Sequence, residues 1–151
     1  MAQSSTTVGN TPSAVARLII PSSFFATAES SVTVKVGERI PLAEFHLNPG
    51  AWIIQAKATV NGQGGTTLDS TVSTALLLVA QAGNLTAQDE AIVDPTLHQV
   101  SVATIGLEAP TPILLQLFAT NRGGGLGGAN SNFSDIKIVA AKQAELITLA
   151  F

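Results

Sequence analysis

The rhythm of apolar residues constrains this chain more than any other feature. Nine short runs are rich in Val, Ile, Leu and Thr, most of them bounded by Gly, Pro, Asn or Asp: "AVARLII" (14–20), "SVTVKV" (31–36), "IPLAEFHL" (40–47), "AWIIQAKATV" (51–60), "STALLLVAQA" (73–82), "HQVSVATIGL" (98–107), "PILLQLFAT" (112–120), "DIKIVAA" (135–141) and "ELITLAF" (145–151). Runs of this length, with turn residues between them and no sustained 3.6-residue period, predict an all-β antiparallel sandwich or barrel with little helix. The main competitor is "TALLLVAQAGNL" (74–85) as a buried helix, which Gly83 would end early. At 151 residues the chain fits one domain. Residues 1–13, made largely of Ser, Thr, Gly, Asn and Pro, predict a flexible N-terminal arm, because they cannot bury enough hydrocarbon to offset the entropy of ordering. Residues 14–151 are left as the folded unit.

Alternation sharpens the picture. In "AWIIQAKATV" one face carries Trp52, Ile54, Ala56, Ala58 and Val60, while Ile53, Gln55, Lys57 and Thr59 form a second, wet face. By contrast, 75–79 and 113–118 put apolar groups on both faces. A strand in a small antiparallel sandwich has one face on the core and the other in water. Two apolar faces therefore predict that a second subunit covers the outside, with Leu77, Val79, Leu115 and Leu117 as the interface.

Composition points the same way. Charged residues make up 11% of the chain, against about a quarter in ordinary soluble domains. A net charge of −3 with seven scattered Lys and Arg residues leaves no electrostatic footprint for nucleic acid. The absence of cysteine excludes disulfides and thiolate metal sites. The start "MAQSSTTVGNTPSAVARL" lacks a basic segment followed by an apolar one, and no run approaches the 18 or so residues that span a bilayer. Synthesis in a cytoplasm without a signal peptide, and no membrane insertion, are the expectations.

Few residues offer chemistry. Gly123, Gly125 and Gly128 in "TNRGGGLGGANSNF" spell a dinucleotide-loop pattern, but "SNFSDIKIVAA" after them alternates as a strand, so the helix N-terminus that would hold pyrophosphate is missing. The glycines predict a strand connection instead. His46 and His98 are the only imidazoles and stand more than fifty residues apart; neither has the close partner a metal site requires. Asp89, Glu90 and Asp94 match no calcium loop and are expected as solvated loop charges. No Gly-x-Ser-x-Gly elbow is present. No catalytic residue, metal or cofactor is assigned, and the chain is expected not to be an enzyme. Trp52 is expected in the core rather than stacked on a sugar. The sequons at Asn84 and Asn132 matter only in a secretory route.

Four segments in order carry a family likeness. "NPGAWIIQAKATV", "STALLLVAQAG", "VSVATIGLEAPTPILLQLFAT" and "NSNFSDIKIVA" resemble strands of the tumour necrosis factor and complement globular-head superfamily, over about residues 40 to 140. Asp135 stands where that family favours Gly. The resemblance implies a jelly-roll that trimerises through one sheet around a threefold axis. It extends to small phage structural proteins: tail-tip or fibre heads and head-decoration proteins. The expectation is thus a non-enzymatic virion component, a homotrimer touching other virion proteins and a host-surface receptor or glycan. Asn121, Arg122, Asn130 and Asn132, beside the glycines, are its recognition-loop candidates. The alternative is a soluble carbohydrate-binding module or a cytokine-like trimeric ligand.

Overall fold

Alternating burial along successive runs builds the molecule as two sheets pressed face to face. The computed structural model describes residues 19–63, 73–93, 99–123 and 130–151. Its strands are β1 (Ile19–Ile20), β2 (Phe24–Thr27), β3 (Val32–Val34), β4 (Arg39–Leu47), β5 (Gly50–Gln63), β6 (Ser73–Ala82), β7 (Leu85–Val93), β8 (Gln99–Ala109), β9 (Ile113–Gly123) and β10 (Asn130–Gln143). One sheet runs β1-β4-β9-β6-β7, with β1 parallel to β4; the other runs β2-β10-β5-β8, with β3 also on β10. The antiparallel pairs are nested: β6 with β7 inside β5 with β8, inside β4 with β9, inside β3 with β10. That nesting is the doubled Greek key of a jelly-roll. The expected all-β sandwich is what the chain forms.

The core lies between the sheets. Trp52, Ile54, Ala56, Ala58 and Val60 of β5 face inward, wholly buried, as their alternation predicts. Leu76, Leu78, Leu115, Leu117 and Phe133 meet them from β6, β9 and β10. Each such large side chain contributes about 1.5–3 kcal/mol on leaving water. Trp52 also donates its indole N–H to the Asn48 carbonyl at 3.0 Å, which ties the strand to the Asn48–Gly50 corner between the sheets.

One irregularity sets which residues reach that core. Between Ser134 and Lys137 of β10 the register against β5 shifts, so that Asp135 and Ile136 together oppose Ala58. Asp135 takes φ +50°, in the left-handed region. This extra residue reverses the parity of the strand. Phe133, Ile136 and Ile138 all point inward, although strict alternation would separate Phe133 from the two isoleucines. Gly adopts that region without steric cost. Asp is among the few other residues that visit this region.

Several elements differ from the sequence reading. "TALLLVAQAGNL" is a strand, and Gly83 at φ +59° is the first residue of the two-residue turn into β7. Positive φ at that position is what a type II′ hairpin demands. β7 itself was not anticipated. Four of its nine residues are polar, and Asp89 and Glu90 sit on this edge strand rather than in a loop. β2 also lies outside the expected runs. Residues 145–151, expected to be a strand, form none. Of "AVARLII", only Ile19–Ile20 falls within the described residues as strand. The arm at 1–13 lies outside the described residues.

Candidate functional site

The outer faces of the two sheets are the surfaces on which partners can act, and registers define both. On the first sheet, Leu77 lies between Phe118 and Glu90, and Val79 between Gln116 and Gln88. Both side chains are 8% exposed, shaded by these cross-strand neighbours. Leu115 and Leu117 point the opposite way. They are wholly buried in the inter-sheet core, so they do not belong to an outer interface with Leu77 and Val79. The correction follows from parity: Leu78 pairs with Leu117, whereas Leu77 pairs with Phe118. Around this face Arg39 lies over the Phe118 ring at 4.1 Å, and Gln116 donates to Glu44 at 3.1 Å. Nearby, His46 Nε2 is 3.8 Å from Glu44 Oε1. This face is thus knit together within one protomer.

The second sheet is different. Its outward face consists of cross-strand rows: Phe25, Val139, Gln55 and Thr104; then Thr27, Lys137, Lys57 and Val102; with Thr59 and Val100 beyond, and Ala141, Ile53 and Gly106 on the other side. Phe25, Ile53, Val100, Val102 and Val139 are between 41% and 63% exposed. The expected wet face of β5 is present, since Ile53, Gln55 and Lys57 are all exposed. Its neighbours turn it into an apolar surface. The alternation of "QVSVATIGL", with Val100 and Val102 opposite Ser101 and Ala103, carried this signal.

The two central lysines are cross-strand partners, an unfavourable juxtaposition of like charges. Among the described residues, neither has an acidic partner. At the sheet's free edge, Asp89 of β7 accepts the Thr104 N–H at 2.9 Å. A carboxylate there occupies a donor that would otherwise invite another strand.

The recognition-loop candidates separate. Asn121 is 1% exposed. Its side-chain amide donates to the Val34 carbonyl at 3.2 Å and to Ser131 Oγ at 3.3 Å, and Ser131 Oγ lies 2.7 Å from Thr74 Oγ1. This buried network joins β3, β6, β9 and β10, so Asn121 is a structural residue and not a surface contact. Arg122 is exposed on β9 and pairs with Glu90 at 2.7 Å. Asn130 and Asn132 are half-buried at the start of β10, and Asn132 accepts from Thr33 at 3.3 Å. Gly123 ends β9 and Asn130 opens β10, so strands lie on both sides of the glycine segment; Gly125 and Gly128 lie outside the described residues.

A cleft of about 280 Å³ opens along the side of the sandwich between β2 and β4, floored by Ile136 and Ile138 and lined by Leu42 and Phe45. Glu44 is its one charged lining residue. Among the described residues no three His, Asp or Glu side chains converge as metal ligands; His98 and Asp94 lie outside them. Trp52 is wholly buried, so its ring offers no platform for a sugar.

Fold and surfaces together define a jelly-roll sandwich with five large apolar side chains exposed on one outer sheet face. No protein family matches the sequence, and no curated protein does. Among solved structures, the P-domain of Macrobrachium rosenbergii nodavirus is similar at 6% identity, over 80% of this chain and 92% of that one, with a TM-score of 0.25.

Proposed function

We propose that this protein is a non-enzymatic virion structural component that assembles as a homotrimer, in a phage tail, fibre or head decoration. The observation that carries the reading is the outward face of β2-β10-β5-β8. Phe25, Val139, Ile53, Val102 and Val100 stand there together, well exposed. They form two groups, Phe25, Val139 and Ile53 on one side of Gln55, Lys57 and Lys137 and Val100 and Val102 on the other; large apolar side chains exposed in this number on one face mark interaction sites, and covering them with copies of the same chain suits a protein with so few charges. The trimer and the virion setting follow the jelly-roll resemblance of the sequence.

This reading moves the interface from the Leu77 side to the opposite sheet. Contacts with other virion proteins, or with a host receptor or glycan, then fall to the strand ends bearing Arg122, Asn130 and Asn132. Three copies multiply weak contacts through effective concentration. Native mass spectrometry at micromolar concentration tests the assembly: the expected species is three times the 15.4 kDa chain mass. A stable monomer refutes it. Antibody labelling of particles tests the setting, with decoration of a tail or head expected.

A further inference from the structure

The segment after β10 is apolar and belongs to no strand. Ile147 and Leu149 are 70% and 79% exposed and Phe151 is fully so, all on alternate positions of the sequence. The segment leaves its own sheet over a defined anchor. Leu146 packs on Gly106, where an added Cβ would lie 3.1 Å from Leu146 Cδ2, and the Leu146 N–H meets Glu108 Oε1 at 3.4 Å. Leu146 thus rests at one end of this sheet face, and the five residues beyond it are exposed.

We propose that residues 147–151 form an exchanged arm that packs on the outer sheet face of a second copy of this chain, against Phe25, Val139 and Val102. The inference rests on the assembly reading above and names how copies are laced. Three observations fix the occupant as self. The arm and the face are the two large exposed apolar features next to Leu146, and they are joined by that anchor. The charges on the face are complementary between copies: exposed Glu108 and Glu145 lie at the Leu146 end, while the unpaired Lys57 and Lys137 stand about 20 Å away along β5. A head-to-tail contact places the acids of one copy on the lysines of the next, which is the heterologous interface of a closed ring. Five extended residues also reach about 17 Å, enough to cross the three central strands of a neighbouring face.

The chain has no cysteine, so engineered pairs report without background. Chains carrying only Leu149→Cys are mixed with tagged chains carrying only Val102→Cys and oxidised. A covalent heterodimer is expected, and none when Leu85→Cys on the other sheet replaces the Val102 variant. In parallel, the triple variant Ile147→Ser, Leu149→Ser, Phe151→Ser should raise the concentration at which the assembly half-dissociates by at least tenfold, with the far-ultraviolet spectrum unchanged. Val102→Lys, on the face itself, should give monomers. If Val102→Lys dissociates the protein while the triple variant leaves the midpoint unchanged and no heterodimer forms, the arm is refuted and the assembly face stands. If the unaltered protein is already monomeric, or Val102→Lys leaves its mass unchanged, the assembly reading fails and takes the arm with it.

Discussion

Asp135 offers the sharpest test of how this sequence reaches its core. It supplies the extra residue of the β10 bulge at φ +50°. A left-handed conformation costs an ordinary L-residue about 1–2 kcal/mol, less for Asp and nothing steric for Gly. Asp135→Gly should therefore be neutral or stabilising, by up to about 1 kcal/mol, because relief of strain is partly offset by a freer unfolded chain. Asp135→Val should cost about 1–2 kcal/mol, since a branched Cβ suits that region least. Deleting Asp135 is more severe. It restores strict alternation, so that either Ile136 and Ile138 or Phe133 and Ser131 must turn outward. Turning out wholly buried Phe133 forfeits about 2–3 kcal/mol. Turning out Ser131 takes the hydroxyl partner from Thr74 and one of its acceptors from Asn121, at about 1–3 kcal/mol for each lost bond. The sum, about 4–6 kcal/mol or more, approaches the whole stability of a typical domain. Guanidinium unfolding followed by Trp52 fluorescence reads all three, because this single, buried tryptophan reports core integrity. A valine variant as stable as the parent, or a deletion that keeps the native emission and midpoint, refutes the parity argument.

Three further outcomes follow from the same geometry. Leu117→Ala should cost about 2–5 kcal/mol as an inter-sheet cavity, and Leu77→Ala less than about 2 kcal/mol, in unfolding measured at fixed protein concentration; equal losses would contradict the division of faces. Asn121→Leu should destabilise by about 1–3 kcal/mol through the lost partners of Val34 and Ser131, and leave any receptor or glycan binding intact once the variant is folded. Replacing Gly83 by Val should cost about 1–2 kcal/mol through its positive φ, measured by the same unfolding curves.

Strand content was legible where a run was long and half-buried. β5 and β8 alternate cleanly because each lies between a core and an open face, and the pattern of two residues survives in the sequence. β7 was hidden, since its polar residues alternate weakly on a sheet edge; the Gly83-Asn84 pair between two runs was the available signal. Residues 145–151 have the composition of a strand without a neighbour to pair with. Composition alone does not supply one.

The surface was legible only in part. That 75–79 and 113–118 are apolar on both sides was evident from their residues. Which leucines face the core depends on register, which the strands settle together. Asn121 shows the same limit: beside glycines it has the chemistry of a contact residue, yet its place in β9 turns it into the sandwich, where Ser131 and Val34 accept its amide.

By itself, the order of residues determined that the regular structure of the described residues is β-strand, which side of β5 is core, and that the chain carries little charge. Those properties are local: a period of two and a turn residue act over a handful of positions. Only the tertiary structure decided that Phe133 and Ile136 share a face, that Leu115 and Leu117 are interior, and that Phe25, Val139 and Val102 lie on the same side of one outer sheet. Each depends on pairing between strands far apart in sequence, and one bulged residue is enough to exchange inside for outside.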